Sequence, residues 1–153
     1  MTPADYVTEI VIPTVRESRD NRKSRRHAYL ACIVTFHIKD HLEKVGVTGV
    51  TQKMRTACPG HFDLVRGVCN GTKHVATNQG HVIPFAIGGD YYRPPAFAGV
   101  MMAGLSMLGD TKGARVVRHN DTKYDLYGSA KAVLAEFKRQ FPNYLDGCDL
   151  GDC

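Results

Sequence analysis

The sequence contains no apolar run of the length that crosses a bilayer, and this absence excludes a helical membrane protein. Residues 1–5 lack a positively charged start followed by an apolar core, so no secretory signal is expected and a cytoplasmic location is the default. The chain has no Gly-Lys-Ser or Gly-Lys-Thr step, no dinucleotide-type glycine spacing and no serine nucleophile elbow. We therefore expect no membrane partner and no cofactor.

The composition is that of a globular protein. Of the 153 residues, 43% are hydrophobic and 23% are charged, and this length suffices for one core but not for two well-built domains. The cysteine count of five is odd, and Cys32 and Cys69 lie in apolar helical patterns, where a reduced thiol behaves as a small hydrophobic side chain. A disulfide framework is therefore not expected.

The C-terminus has a different composition from the rest of the chain. We expect a single globular domain over residues 1–145 and an acidic, cysteine-containing tail over residues 146–153. Cys148 and Cys153 lie among aspartates, so a soft-metal site or a disulfide is an alternative interpretation. A mobile tail is the simpler one, because the segment is acidic and rich in glycine.

The positive charge is concentrated in the first half of the sequence. The net charge is +5; residues 1–80 hold 12 Lys and Arg against 7 Asp and Glu, whereas residues 81–153 hold 8 of each. The densest part, residues 16–27, could neutralise several phosphates of a nucleic acid. The alternative is a solvated helix start, which we favour because no aromatic residues interleave the charges to stack on bases.

Hydrophobic spacing predicts a helical first half. The predicted helices cover residues 3–15, with a kink at Pro13, then 22–45, capped by Asp20 or Asn21, then 51–57 and 62–74. Cys58-Pro59-Gly60 is expected to break the chain before the last of these.

The second half changes character. Gly88-Gly89-Asp90 and Arg93-Pro94-Pro95 predict an irregular connection, residues 114–118 and 122–126 predict two strands around an Asn120-Asp121 turn, and residues 129–141 predict an amphipathic helix. The expected fold is α+β: a mainly helical first half, a small antiparallel hairpin or sheet and a C-terminal helix.

Four polar side chains share one stripe of the helix predicted over residues 62–74. Arg66, Asn70, Lys73 and His74 are related by steps of four, seven and eight residues. A guanidinium, an ammonium, an amide and an imidazole on one stripe are suited to holding a phosphate and moving a proton. We take this stripe as the first part of a candidate site.

A second polar set lies on the long predicted helix. His37, Asp40 and His41 have spacings of three and four residues, so they point to one side. If the two helices pack antiparallel, the two sets face each other across a groove. Two alternatives stay open: a metal site in which His74 is the third nitrogen, and a structural hydrogen-bond network. The pattern assigns no metal.

The segment from Arg66-Gly67 through Asn70 to Lys73-His74 resembles the signature of the HEPN domains of prokaryotic toxins and defence ribonucleases, over roughly residues 20–76. The resemblance implies metal-independent cleavage of RNA by its own 2′-hydroxyl. In that chemistry His74 is the general base or acid, Arg66 binds the scissile phosphate, Lys73 adds a charge and Asn70 orients the phosphate or the imidazole. It also implies a homodimer.

Two functional classes follow from the sequence. The first is an RNA-directed module, either a weak ribonuclease or an RNA binder that has lost catalysis. The second is a non-enzymatic protein-protein interaction module of a bacterial or phage defence system.

Overall fold

A computed structural model of the chain describes residues 1–73, 85–97, 102–103, 106–151 and 153. Its helices are α1 (Pro3–Tyr6), α2 (Ile12–Asp20), α3 (Arg25–Lys44), α4 (Val50–Ala57), α5 (Pro59–Lys73) and α6 (Leu126–Gln140). Its strands are β1 (Asp90–Arg93), β2 (Ala114–His119) and β3 (Thr122–Asp125). The predicted α+β fold with a mainly helical first half is confirmed. No helix in these ranges is long and apolar enough to span a membrane.

The first helical stretch is longer than predicted. A π-helical segment, Val7–Val11, joins α1 to α2, so the chain stays helical as far as Asp20. Pro13 lies in the first turn of α2 and has no N–H to donate to the preceding turn. The predicted kink is therefore a change of helix type immediately before the proline.

The helix boundaries of α3 and α5 differ from those expected. Ser24 caps α3 by accepting a hydrogen bond from the His27 N–H, whereas Asn21 ends α2. Helix α5 begins at Pro59, where the predicted break would have delayed its start to residue 62. Proline at the first helical position is favourable, because the N–H that it lacks would have no partner there.

The sheet has the order β1-β2-β3 and both pairings are antiparallel. The β2-β3 turn is at the predicted place, and Asn120 takes the left-handed conformation that such turns favour (φ 48°). Strand β1 was not predicted, because its four residues lie between Gly-Gly and Pro-Pro; pairing with β2 makes them extended. Helix α6 begins at Leu126 rather than at residue 129, since the Asp125 side chain caps it.

Helix α3 lies at the centre of the helical core. It packs against α2, α5 and α6, and its residues Cys32, Ile38 and Leu42 are completely buried. Phe62 at the start of α5 contacts both Phe36 of α3 and a phenylalanine of α6, with ring centroids 5.8 and 6.2 Å apart. This apolar packing fixes how α3 and α5 are rotated about their axes. It therefore determines which faces of the two helices lie outside the core.

The expectation of a mobile C-terminal tail is wrong for its cysteines. Cys148 and Cys153 are only 1% and 2% exposed and belong to the core. Their thiols lie 3.7 Å from the Ala4 carbonyl oxygen and 3.9 Å from that of Ile12, and Lys138 Nζ donates to the Cys148 carbonyl. The acidic composition did not predict this packing, because the packing depends on contacts with the N-terminal helices. None of the five cysteines, all of which lie among the described residues, is in a disulfide.

Candidate functional site

A groove of about 320 Å³ lies where the C-terminal half of α3 meets α5 and the start of α4. Its lining includes members of both predicted polar sets and comprises Phe36, His37, Lys39, Asp40, Thr51, Arg66 and Asn70. The aromatic contacts beneath it bury the apolar stripes of the two helices and leave the polar stripes at their common edge. The structure thus brings together His37 and Asp40 with Arg66 and Asn70.

His37 and Asp40 form a fixed pair at the groove. Nδ1 of His37 lies 2.6 Å from Asp40 Oδ2, and Lys39 Nζ donates to the other carboxylate oxygen at 2.7 Å. Burial alone would raise the pKa of Asp40, but the hydrogen bonds from Lys39 and His37 outweigh it and lower that pKa. An ionised Asp40 accepts only, so Nδ1 of His37 carries the proton and Nε2 is the basic nitrogen of the neutral ring.

The other imidazole nitrogen faces a thiol. Nε2 of His37 lies 3.6 Å from Sγ of Cys69, which follows Arg66 by one turn on α5. The imidazole of His37 therefore lies between a thiol and a carboxylate, as in a thiol-imidazole-carboxylate triad. Cys69 is completely buried, however, so a substrate in the groove meets the imidazole and not the sulfur. The contact orients the ring of His37, which is 30% exposed.

Arg66 is the cation that the groove leaves available. It is partly buried, lines the groove beside Asn70, and forms no ion pair with a residue that the structure describes. Asp40 is committed to His37 and Lys39, and Asp63, one turn before Arg66, lies 3.3 Å from Arg55. A guanidinium without a carboxylate partner, next to a neutral amide, is suited to an anionic ligand.

His41 does not join the groove. Its ring stacks on Tyr6, with centroids 3.9 Å apart and an interplanar angle of 12°. Burial and then the charge of Lys44 lower the pKa of His41, while burial followed by the charges of Asp40 and Cys69 raises the pKa of Tyr6 to about 12. The expectation that all three polar residues of α3 face α5 is therefore wrong for His41, which packs against the first helix instead.

The last two residues of the predicted stripe have no described side chains. Lys73 is the last residue of α5, and the description of its side chains stops at residue 72. His74 lies outside the described residues. Its role as general base or acid, and its role as a third metal-binding nitrogen, stay predictions. Among the described residues no group of three or more His, Cys, Asp or Glu side chains is placed to hold a metal ion.

Three lining or supporting residues were not foreseen. Lys39 follows from the spacing, because it neighbours Asp40 in sequence and reaches Glu43 one turn later at 3.4 Å. Thr51 comes from α4 and Cys69 from the apolar stripe of α5, and no pattern in the sequence links either to the groove. Only the packing of three helices reveals Thr51 and Cys69 as parts of the site.

Comparison with known proteins assigns no family to the chain. No family model, curated protein or solved structure matches this chain. The resemblance to HEPN domains therefore stays a prediction that rests on its short motif.

Proposed function

We propose that the protein is an RNA-directed module and that the groove between α3 and α5 holds one phosphodiester of the RNA. The observation that supports this most directly is the guanidinium of Arg66, which has no ion pair among the described residues and lies beside an imidazole that a carboxylate orients. Asn70 adds an uncharged donor and acceptor on the same side. These are the side-chain types that bind a phosphate and move a proton at neutral pH.

The reaction that suits these groups is metal-independent cleavage. The 2′-hydroxyl oxygen forms a bond to phosphorus, the bond from phosphorus to the 5′-oxygen breaks, one proton leaves the 2′-hydroxyl and another reaches the 5′-oxygen. The resemblance assigns one proton transfer to His74, and the hydrogen bond that His37 donates to Asp40 makes His37 a candidate for the other. Arg66 would bind the phosphate oxygens as negative charge grows, with Lys73 nearby in sequence.

The direct test is incubation of the purified protein with mixed RNA in the presence of a chelator. We expect His37→Ala and His74→Ala each to slow cleavage by about 10²–10⁴-fold, the usual contribution of a general acid or base. Arg66→Ala is expected to slow it by about 10²–10³-fold, through the loss of charge stabilisation. Two residues of β2 provide matched controls, Arg118→Ala at an exposed position and His119→Ala at a partly buried one, and both variants should cleave RNA at the parent rate.

Two results would contradict parts of this proposal. Cleavage retained in both His37→Ala and Arg66→Ala would remove the groove as the reactive site. A parent protein that binds RNA in the groove without cleaving it would be the binder that has lost catalysis.

A second candidate is the protein-protein interaction module. It is favoured by large apolar side chains exposed between β1 and β2: Phe97 is 48% exposed, Met102 and Met107 are each 53% exposed, and Leu108 is 98% exposed. Large apolar side chains left exposed can belong to a binding surface where they are contiguous. Absence of both RNA binding and cleavage would favour this candidate over the first.

Two further expectations belong to the proposal. The resemblance implies a homodimer, which light scattering coupled to size-exclusion chromatography would detect as twice the 16.9 kDa mass of the chain. A cytoplasmic location stays a prediction.

A further inference from the structure

A second surface, remote from the groove, contains several basic residues of the segment 16–27. Two adjoining cavities of about 750 and 620 Å³ lie at the turn between α2 and α3. Both are lined by Arg19, Asp20, Arg22 and Lys112, so they form one continuous depression, which we call the basic cleft. Its other walls come from the turn before α3, the segment before β2, strand β1 and helix α6.

The acidic residues of the basic cleft are already paired. Asp20 lies 2.8 Å from Arg19, and Asp110 lies 2.9 Å from Arg93 and accepts hydrogen bonds from two backbone N–H groups. Arg22 is bound by Asp125, which lies outside the lining. Each of these carboxylates therefore contacts one guanidinium, and none of them forms an ion pair with a lysine of the cleft in the described part of the chain.

Three lysines supply the uncompensated charge. Lys23, Lys112 and Lys131 are exposed, line the cleft from three different elements, and have no ion pair within the described part of the chain. Their ammonium groups are point charges on flexible stems, so they suit a ligand that carries several separated negative charges better than one compact anion. A phosphodiester chain has this distribution of charge.

The fold also supplies the aromatic rings that the basic run lacks in sequence. Tyr92 of β1 lines one cavity and Tyr127 of α6 lines the other. Lys23 Nζ lies 5.9 Å from the centroid of the Tyr92 ring, and the Arg22 guanidinium lies 4.2 Å from that of Tyr127. A positively charged depression that also contains aromatic rings is typical of surfaces that bind single-stranded nucleic acid.

We propose that the basic cleft binds the phosphate backbone of single-stranded RNA at the three lysines, with its bases toward Tyr92 and Tyr127. That the chain is RNA rests on the proposed function, whereas the binding of a nucleic-acid backbone rests on the cleft alone. The start of α3 and the groove lie about 20 Å apart along the helix, at 1.5 Å per residue. The cleft is therefore a separate binding surface and not a part of the groove.

The test compares two triple variants with equal loss of charge. The cleft variant is Lys23→Ala/Lys112→Ala/Lys131→Ala, and the control is Lys44→Ala/Arg118→Ala/Lys123→Ala, whose positions are exposed and outside the cleft. The probe is a fluorescein-labelled oligouridylate of about twelve nucleotides, followed by anisotropy over a series of salt concentrations. Circular dichroism verifies that both variants fold.

We expect the cleft variant to bind at least ten-fold more weakly than the control. Its plot of log affinity against log salt should be shallower by about two units, because three phosphate contacts are lost at about 0.7 each. Equal affinities and slopes in the two variants would overturn the proposal. So would equal competition by inorganic polyphosphate and by unlabelled oligouridylate, since polyphosphate has no bases to stack. A single-stranded DNA of the same length that binds more tightly than the RNA would overturn the assignment to RNA.

The same assay separates this inference from the proposed function. The control triple variant retains the residues of the groove and of the cleft, and it should bind oligouridylate within about two-fold of the parent. Failure of cleavage with binding still lost in the cleft variant would reject the groove and support the cleft. Cleavage that persists with equal binding in both triple variants would do the reverse.

Discussion

At the N-terminal end of α3, Arg25 and Tyr29 reach a carboxylate that is completely buried, whereas at its C-terminal end His37 and Asp40 pair with each other at the surface. Asp90 accepts hydrogen bonds from Tyr29 Oη at 2.5 Å, Arg25 Nε at 2.9 Å and Arg115 Nη1 at 3.2 Å. Its side chain is 0% exposed, against 46% for Asp40. One end of the helix uses its polar groups to attach the sheet, and the other leaves them available to a ligand.

The largest expected effect tests the buried end. Asp90→Ala leaves two guanidinium groups without their carboxylate, and we expect a loss of about 3–5 kcal/mol in the free energy of unfolding, measured by urea denaturation. The matched control is Asp40→Ala, where exposure limits the loss to about 0–1 kcal/mol. Equal losses in the two variants would show that the two ends of α3 are not different in kind.

An intermediate effect is expected where α5 approaches the same end of α3. A Cβ at Gly71 would lie 2.4 Å from the Phe85 carbonyl oxygen, and Phe85 in turn packs edge-on against Tyr29. Backbone must shift to make room, so Gly71→Ala should cost about 1–3 kcal/mol by the same denaturation measurement.

The control for this substitution lies at the other end of α5. At Gly60 the nearest atom to an added Cβ is the hydroxyl of Tyr124, at 2.8 Å, which is the far end of a side chain and can move. Gly60→Ala should therefore be tolerated better than Gly71→Ala. The reverse order would mean that Phe85 is not fixed against the helices.

The smallest effect concerns the exposed end and depends on pH. Because the pKa of His41 is lowered by burial and by Lys44, the folded protein binds a proton there less readily than the unfolded chain, whose imidazole titrates near 6.5. Stability contributed by this residue is therefore present above pH 6.5 and declines as the pH falls below it. His41→Phe retains a ring against Tyr6 and should flatten the change in melting temperature between pH 5 and 7.

The comparison for this last variant is His119→Phe on β2, which leaves His41 in place. It should retain the pH dependence of the parent protein. A parent whose melting temperature does not change over this interval would exclude the effect of His41.

Features that depend on residues a few positions apart were predictable from the sequence. They are helices α3, α4, α5 and α6, the turn at Asn120 and the pairing of His37 with Asp40. Periodicity and capping act over one or two turns, and proline restricts its own φ. Errors arose where a distant segment decided the outcome: β1 became a strand through β2, and His41 turned to Tyr6.

The sequence by itself determined which side chains share a face of one helix, since helical geometry fixes that relation over short distances. Only the tertiary structure decided which faces meet. It placed His37 and Arg66 in one groove, brought Tyr92 and Tyr127 to the basic turn, and buried Cys148 and Cys153 beneath the first helices. These contacts join residues far apart in the chain, and their formation depends on the burial of a common core, which no local pattern encodes.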